Sequence, residues 1–323
     1  MNTKTRRMLL FAGALILLGC LILCGVMMML KWDFSKLTTK KFETNRYEIE
    51  EAFADIAVLS DTASVIFLPA EDGKCVIECF EERNAKHAVT VENGALAITL
   101  EDTRKWFEYI GIGFTSPKIT VYLPLGEYET LSVKLSTGDV SLPDAFSFTK
   151  TDISASTGDV SLGASALGEA GIKTTTGRIT VEGASGTSLS LSVSTGKVFL
   201  TDTALSGDLT ISVSTGKSFL TRVTAKNLES TGDTGDITLE GVLIAERLFI
   251  ERDTGDVLLT ASDAAELEIV TDTGDVTGSL LSEKIFIPRS DTGRIFVPET
   301  TSGGKCTVKT DTGDIRFTLI KAN

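Results

Sequence analysis

The sequence predicts an all-β chain: a β-solenoid of about ten coils of 19–20 residues, closed by an N-terminal β cap and preceded by one transmembrane helix. Three observations predict it. A Thr-Gly pair recurs at Gly138, Gly158, Gly177, Gly196, Gly216, Gly235, Gly255, Gly274, Gly293 and Gly313, always 19 or 20 residues apart. Aliphatic and polar residues alternate on both sides of each pair, and a 23-residue stretch without a charge, residues 8–30, stands near the N-terminus. A short fixed period marks one supersecondary unit stacked on copies of itself. Period-two alternation rich in β-branched residues marks half-buried strands.

Residues 1–7 carry Lys4, Arg6 and Arg7 and read as a cytoplasmic tail, because the cationic flank of a span stays inside. Residues 8–30, at about 1.5 Å each, cover the roughly 30 Å hydrocarbon core. The run meets Lys31-Trp32 without a small-residue cleavage site, so an uncleaved anchor is expected rather than a signal peptide. That places the protein in the cell membrane, N-terminus cytoplasmic and the repeats extracytoplasmic. Leu17-Leu18-Gly19-Cys20 resembles a bacterial lipobox and supplies the alternative, a lipoprotein anchored at Cys20. Ten apolar residues follow Cys20, where a lipoprotein turns polar, which weighs against it.

Residues 31–50 are polar and mixed in charge, which suits a juxtamembrane stalk. Residues 51–125 hold short alternating runs without the Thr-Gly turn and read as a β cap, since an open solenoid end is an edge that invites aggregation. Within it, residues 104–114 bring aromatics near two glycines, as a loop or lid over the cap. Cys75, Cys79 and Cys306 are odd in number, so a full disulfide framework is excluded. Cys75 and Cys79 lie four apart on one predicted strand, about 13 Å between Cα atoms and beyond disulfide reach, and read as small buried hydrophobes. His87 is the one histidine, and no Cys/His spacing of a metal site is present.

Residues 126–323 form the array. Two residues after each Gly stand Val140, Val160, Ile179, Val198, Ser218, Ile237, Val257, Val276, Ile295 and Ile315; four after it, mostly Leu or Val. Five before it stand residues such as Val133, Ile153, Ile172, Leu191 and Ile211. The corner is Ser-Thr-Gly-Asp, then Asp-Thr-Gly-Asp in later copies. Gly at the third corner after a β-branched Thr predicts a type II turn, which splays a hairpin but suits a bend from one sheet into the next. A propeller blade needs about 40–45 residues, twice this period.

The whole chain carries −13, and its first 31 residues hold cations only, so the exported part is more acidic still. No nucleic-acid partner is expected of it. Around the later corners Asp233, Asp236, Asp253, Asp256, Asp272, Asp275, Asp291, Asp311 and Asp314 form a stacked carboxylate ladder. Neighbouring charges about 4.8 Å apart repel by roughly 1 kcal/mol in water. Solvent, counter-ions or a divalent cation with oxygen ligands would relieve that; Asp at both corners reads first as turn chemistry and the ladder as a solvated edge, so no cofactor is expected, with a divalent cation as the alternative. Asp-Thr-Gly also occurs in aspartic-protease sites, but here it recurs at the array period, so the repeat explains it. Positions expected to face outward carry Phe199, Phe219, Phe249, Leu258 and Phe296, with Phe199 and Phe219 on adjacent coils, a candidate apolar interaction strip.

Repeated Ser/Asp-Thr-Gly-Asp-Val/Ile-x-Leu behind one N-terminal span resembles the bacterial putative-adhesin family of β-strand-repeat envelope proteins, a domain of unknown function found near envelope-stress operons. The resemblance covers roughly residues 50–320 and implies a β-solenoid envelope protein with no catalytic residues to carry over. The expected function is a membrane-anchored, non-enzymatic module that presents a rigid surface to an envelope protein or cell-wall glycan. The alternative is a β-helix that binds or degrades cell-wall polysaccharide; the links between coils are too short to wall a catalytic groove.

Overall fold

The computed structural model describes residues 3–33, 40–106, 115–143, 146–163 and 166–320. Thr3–Met29 is one α-helix. Within Lys4–Met29 an 18-residue stretch reaches a mean hydropathy of 2.8, and the helix is long and apolar enough to cross a membrane. The remainder is β, a solenoid of about nine turns with the predicted apolar helix ahead of it.

Each coil has a long arm before the Thr-Gly corner and a short arm after it. Equivalent residues of successive coils pair in parallel, as in Leu191↔Ile211 and Leu200↔Leu220. The aliphatic positions face inward: Ile153, Leu191, Ile211, Leu239 and Ile269 belong to one buried cluster running from Ile56 in the cap to Phe317. A second bend lies six residues after the Gly. There Gly183, Asp202, Arg222, Gly241 and Ala261 all have φ between 47° and 68°. The sequence reading did not anticipate it, because only two of the five are glycine.

The Thr-Gly corner itself differs from expectation. The corner glycines with positive φ take values from 129° at Gly235 to 158° at Gly274, far from the roughly +80° of a type II turn. The chain stays extended through the bend, so each corner stacks flat on the next. Gly235 N donates to Thr254 O at 2.8 Å, and an added Cβ on Gly235 would stand 1.7 Å from Gly216 O. Glycine is required there chiefly by contact with the coil next door.

Both ends depart from sequence order. Asp55–Ser60 lies between Ala95–Asp102 and Glu127–Thr137, parallel to both. At the other end Gly304–Thr312 inserts between Val257–Thr273 and Lys284–Thr292. The Gly corners record the same order, with Gly274 N donating to Thr312 O and Gly313 N to Thr292 O. The coil carrying Gly293 is therefore outermost. Pro288 lies in its long arm, where a missing N–H is tolerated at an edge.

The N-terminal end is closed by antiparallel strands. Phe42–Ile49 pairs with Cys75–Glu82, which pairs in turn with Lys118–Leu123. Ala85–Glu92 pairs with Ala95–Asp102. Residues 42–49, assigned to the stalk by composition, are thus a strand on the edge of the cap. Of the aromatic segment 104–114, residues 107–114 lie outside the described residues.

Inside the array, Ser218 occupies a position where its neighbours in register are Val198 and Ile237. It is 1% exposed, and its hydroxyl has no hydrogen-bond partner among the described residues. Ser218→Val is expected to stabilise the protein by about 1–2 kcal/mol, by removing an unsatisfied polar group and adding apolar contact. Denaturant unfolding checks it; a loss of stability would show that Ser218 has a partner in solution.

Candidate functional site

Where the residue after the corner Gly is an aspartate, its carboxylate hydrogen-bonds to the neighbouring coil. Asp139 Oδ1 accepts from Asp159 N at 2.8 Å, and Asp159 Oδ1 from Arg178 N at 2.8 Å. Asp236 Oδ1 accepts from Asp256 N at 3.1 Å, Asp256 Oδ1 from Asp275 N at 2.9 Å, and Asp275 Oδ1 from Asp314 N at 2.7 Å. Asp314 Oδ1 then accepts from Arg294 N at 2.8 Å. One oxygen per rung therefore joins neighbouring coils. The acidic run is bounded by cations at both ends: Lys217 Nζ is 2.7 Å from Asp236 Oδ2, and Arg294 Nη2 is 2.9 Å from Asp314 Oδ2. The insertion of the last coil puts Arg294 at that outer end.

These partners shift the terminal acids. The Lys217 ammonium, then the Asp256 backbone N–H, hold the Asp236 carboxyl below its ordinary range. The Arg294 backbone N–H and guanidinium do the same for Asp314. A carboxylate with a depressed folded-state pKa adds stability above its unfolded pKa and loses it as pH falls through the folded value. The array is accordingly expected to weaken on the acid side of the carboxylate range.

Asp233, Asp253, Asp272, Asp291 and Asp311 stack in the parallel column two residues before Gly; all but Asp311 are exposed. Asp311 lies 3.1 Å from Lys309, and Asp291 lies 3.4 Å from Arg289. Because one oxygen of Asp236, Asp256, Asp275 and Asp314 is engaged by backbone, we expect millimolar Ca²⁺ to raise the melting temperature no more than NaCl of matched ionic strength. Asn at Asp253, Asp256, Asp272 and Asp275 together should raise it further by removing repulsion. A calcium shift that exceeds the salt control, and vanishes in that variant, would establish an ion site.

Phe199 and Phe219 stack on adjacent coils, ring centroids 4.9 Å apart and planes 11° from parallel. The Arg178 guanidinium covers Phe199 at 5.6 Å, leaving both rings half-buried. The same column continues through Thr238 to Leu258, which is 40% exposed. It passes Thr277 and Arg316 before reaching Phe296, 51% exposed on the outermost coil. Phe249 is elsewhere, on the long-arm face between Glu229 and Glu268, with the Arg247 guanidinium 4.8 Å above its ring. The structure thus joins Phe199 and Phe219, places Leu258 and Phe296 along their column, and separates Phe249 from them.

A third constellation went unseen in the sequence. Within the cap Glu81 is fully buried. Its Oε2 accepts from His87 Nδ1 at 2.7 Å and from His87 N at 2.6 Å; its Oε1 accepts from Asn45 Nδ2 at 2.6 Å. His87 Nε2 lies 2.9 Å from Ser60 Oγ. Cys79 completes the group: one ligand atom from each of Cys79, Glu81 and His87 lies within 4.8 Å of the other two. Among the described residues this is the one trio of His, Cys, Asp or Glu side chains that close, and it forms without any Cys/His spacing of a metal site in the sequence. Burial, then Glu81, push the Cys79 thiol up to about 12. Cys75, Cys79 and Cys306 are free thiols and buried, as the spacing of the first two predicts.

Ser60, His87 and Glu81 are spaced as a nucleophile, base and acid would be. The cavity beside them, lined by Ser60, Thr62, Ala85, His87 and Arg104, has a volume of about 10 Å³. That is the space of one water and far below what an acyl substrate needs.

Comparison with known proteins gives the following. A family model described as Toastrack DUF4097 matches residues 53–213 and 203–323. A solved structure described as a putative adhesin from Bacteroides fragilis NCTC 9343 is 15% identical, with a TM-score of 0.42, and the alignment covers 87% of this chain and 98% of that one. One described as a putative lipid binding protein from Parabacteroides distasonis ATCC 8503 is 15% identical, with a TM-score of 0.47, over 86% and 98%. A putative adhesin from Parabacteroides merdae ATCC 43184 is 13% identical, with a TM-score of 0.47, over 87% and 97%. No curated protein matches the chain.

Proposed function

Since the chain belongs to the Toastrack DUF4097 family, we propose that it is a membrane-anchored, non-enzymatic cell-envelope protein that presents its β-solenoid as an interaction surface outside the cytoplasm. The observation that carries this reading is one continuous buried core from the cap to the last coil. A stack whose coils share core and ladder hydrogen bonds is a stiff rod with a long lateral face. An apolar helix at its N-terminal end, flanked by Lys4, Arg6 and Arg7, suits it to stand on the outer side of a membrane. The Phe199–Phe219 stack and Leu258 lie on one column of that face and form the surface a partner would meet. The adhesin descriptions attached to similar folds accord with binding, and a role beside envelope-stress sensing would be exercised through a second membrane protein.

Two measurements test it. Protein retained in membranes after alkali, and digested when protease is added to protoplasts, supports the topology. A soluble form beginning near Lys31 would show cleavage, and lipid on Cys20 would show a lipoprotein. A photo-crosslinker at Leu258 should yield one defined adduct in membranes, lost when Phe199 and Phe219 are changed to Ser. Turnover of cell-wall polysaccharide by the purified protein would overturn the non-enzymatic reading.

A further inference from the structure

We infer that Cys79, Glu81 and His87 form a zinc site inside the N-terminal cap. Cys79 and Glu81 stand two apart on the strand Cys75–Glu82, so the pleat directs them to one face. The Glu82↔Ala85 pairing folds the chain back and brings His87 across from them. All three are within 3% of full burial.

Distances gather three donors around an ion of this size. His87 Nδ1 and Glu81 Oε2 lie 2.7 Å apart, and Cys79 Sγ lies within 4.8 Å of the ligand atoms of both. Donors roughly 2.0–2.3 Å from a tetrahedral zinc stand about 3.3–3.6 Å from one another, so the hydrogen-bonded N and O open by about 0.6 Å as the thiol closes in. Charge favours it too. A thiolate and a carboxylate balance Zn²⁺ with a neutral imidazole, so the buried site is electrically neutral, which an unpaired buried charge is not. A mixed N, S and O donor set selects zinc over calcium or magnesium.

The outer shell is already built. Metal-binding imidazoles donate their second N–H to a fixed acceptor, and ligating carboxylates are themselves hydrogen-bonded. Here Nε2 of His87 faces Ser60 Oγ at 2.9 Å, and Glu81 Oε1 is held by Asn45 Nδ2 at 2.6 Å. Binding exchanges the Cys79 thiol proton for the metal, Cys79–SH + Zn²⁺ → Cys79–S–Zn⁺ + H⁺, with the proton passing to solvent buffer. The imidazole proton moves from Nδ1, where it faces Glu81, to Nε2, where Ser60 Oγ accepts it.

The test uses the full chain in detergent, with Cys20 and Cys24 changed to Ser to remove the helix thiols. Zinc added to this protein should bind at one equivalent, release a proton and raise the melting temperature. Co²⁺ should give a thiolate-to-metal charge-transfer band that saturates at one equivalent. Cys79→Ser and His87→Gln should each abolish the band, and Cys75→Ser should retain it. A folded Cys79→Ser variant that still binds one zinc as tightly would overturn the site and point to the exposed acids. If the variants do not fold, the parent protein still decides: no charge-transfer band with cobalt means no thiolate ligand, and the inference fails.

Discussion

Gly235→Val is expected to cost about 4 kcal/mol or more, while Asp236→Asn costs less than about 1 kcal/mol. The glycine has a φ of 129°, a region closed to β-branched residues at about 1–3 kcal/mol. The added Cβ would also stand 1.7 Å from the carbonyl oxygen of Gly216. That oxygen belongs to backbone held on both sides by parallel pairing, so it can yield only by parting two coils. The aspartate is different. Asn keeps the oxygen that accepts from Asp256 N, and loses only the contact with Lys217, whose side chain is 50% exposed. Denaturant unfolding of both variants checks the claim. Equal losses would mean that the corner tolerates a side chain and that coils are not stacked flat.

The period, the alternation and the inward positions were legible in the sequence because each repeat contacts copies of itself, so one repeat's pattern states the contacts of all. Coil order was not, since the spacings from Gly274 to Gly293 and from Gly293 to Gly313 are as regular as the rest. Two residues did carry the signal. Gly278 replaces the usual Leu or Val, and its absent side chain makes room for Phe317, whose Cε1 would lie 2.3 Å from a Cβ there. A small residue opposite a large one marks neighbouring coils, and Pro288 marks an edge. The turn type was misjudged because a propensity argument about Thr and Gly considers a four-residue turn alone, whereas the carbonyl of the adjacent coil fixes this corner. The cap cluster was invisible for a related reason. Cys79, Glu81 and His87 match no metal-binding spacing, and only the hairpin between Glu82 and Ala85 brings them together.

The outermost coil depends on one buried ion pair, and breaking it is expected to cost about 3–5 kcal/mol. Lys284 Nζ lies 2.6 Å from Asp263 Oδ1, with side-chain exposures of 3% and 16%. The same ammonium donates to Ser282 Oγ, and Asp263 Oδ1 also accepts from Ala264 N at 2.9 Å. Asp263→Ala would leave the lysine charge buried, 3% exposed, with no carboxylate to balance it. Lys284→Met would strand the carboxylate instead. Either change acts where chain order is reversed: Lys284 opens the coil that covers Gly304–Thr312, so its release uncovers the last coil as well. Hydrogen exchange should accelerate over residues 284–312 and leave the coils around Gly196 and Gly216 protected. The double change Asp263→Leu with Lys284→Met should recover most of the loss, because apolar replacement of a buried pair is close to neutral. If either single change costs no more than an exposed surface pair, the lysine reaches solvent and does not hold the coil; if the double change is as damaging as the singles added together, packing rather than charge holds it there.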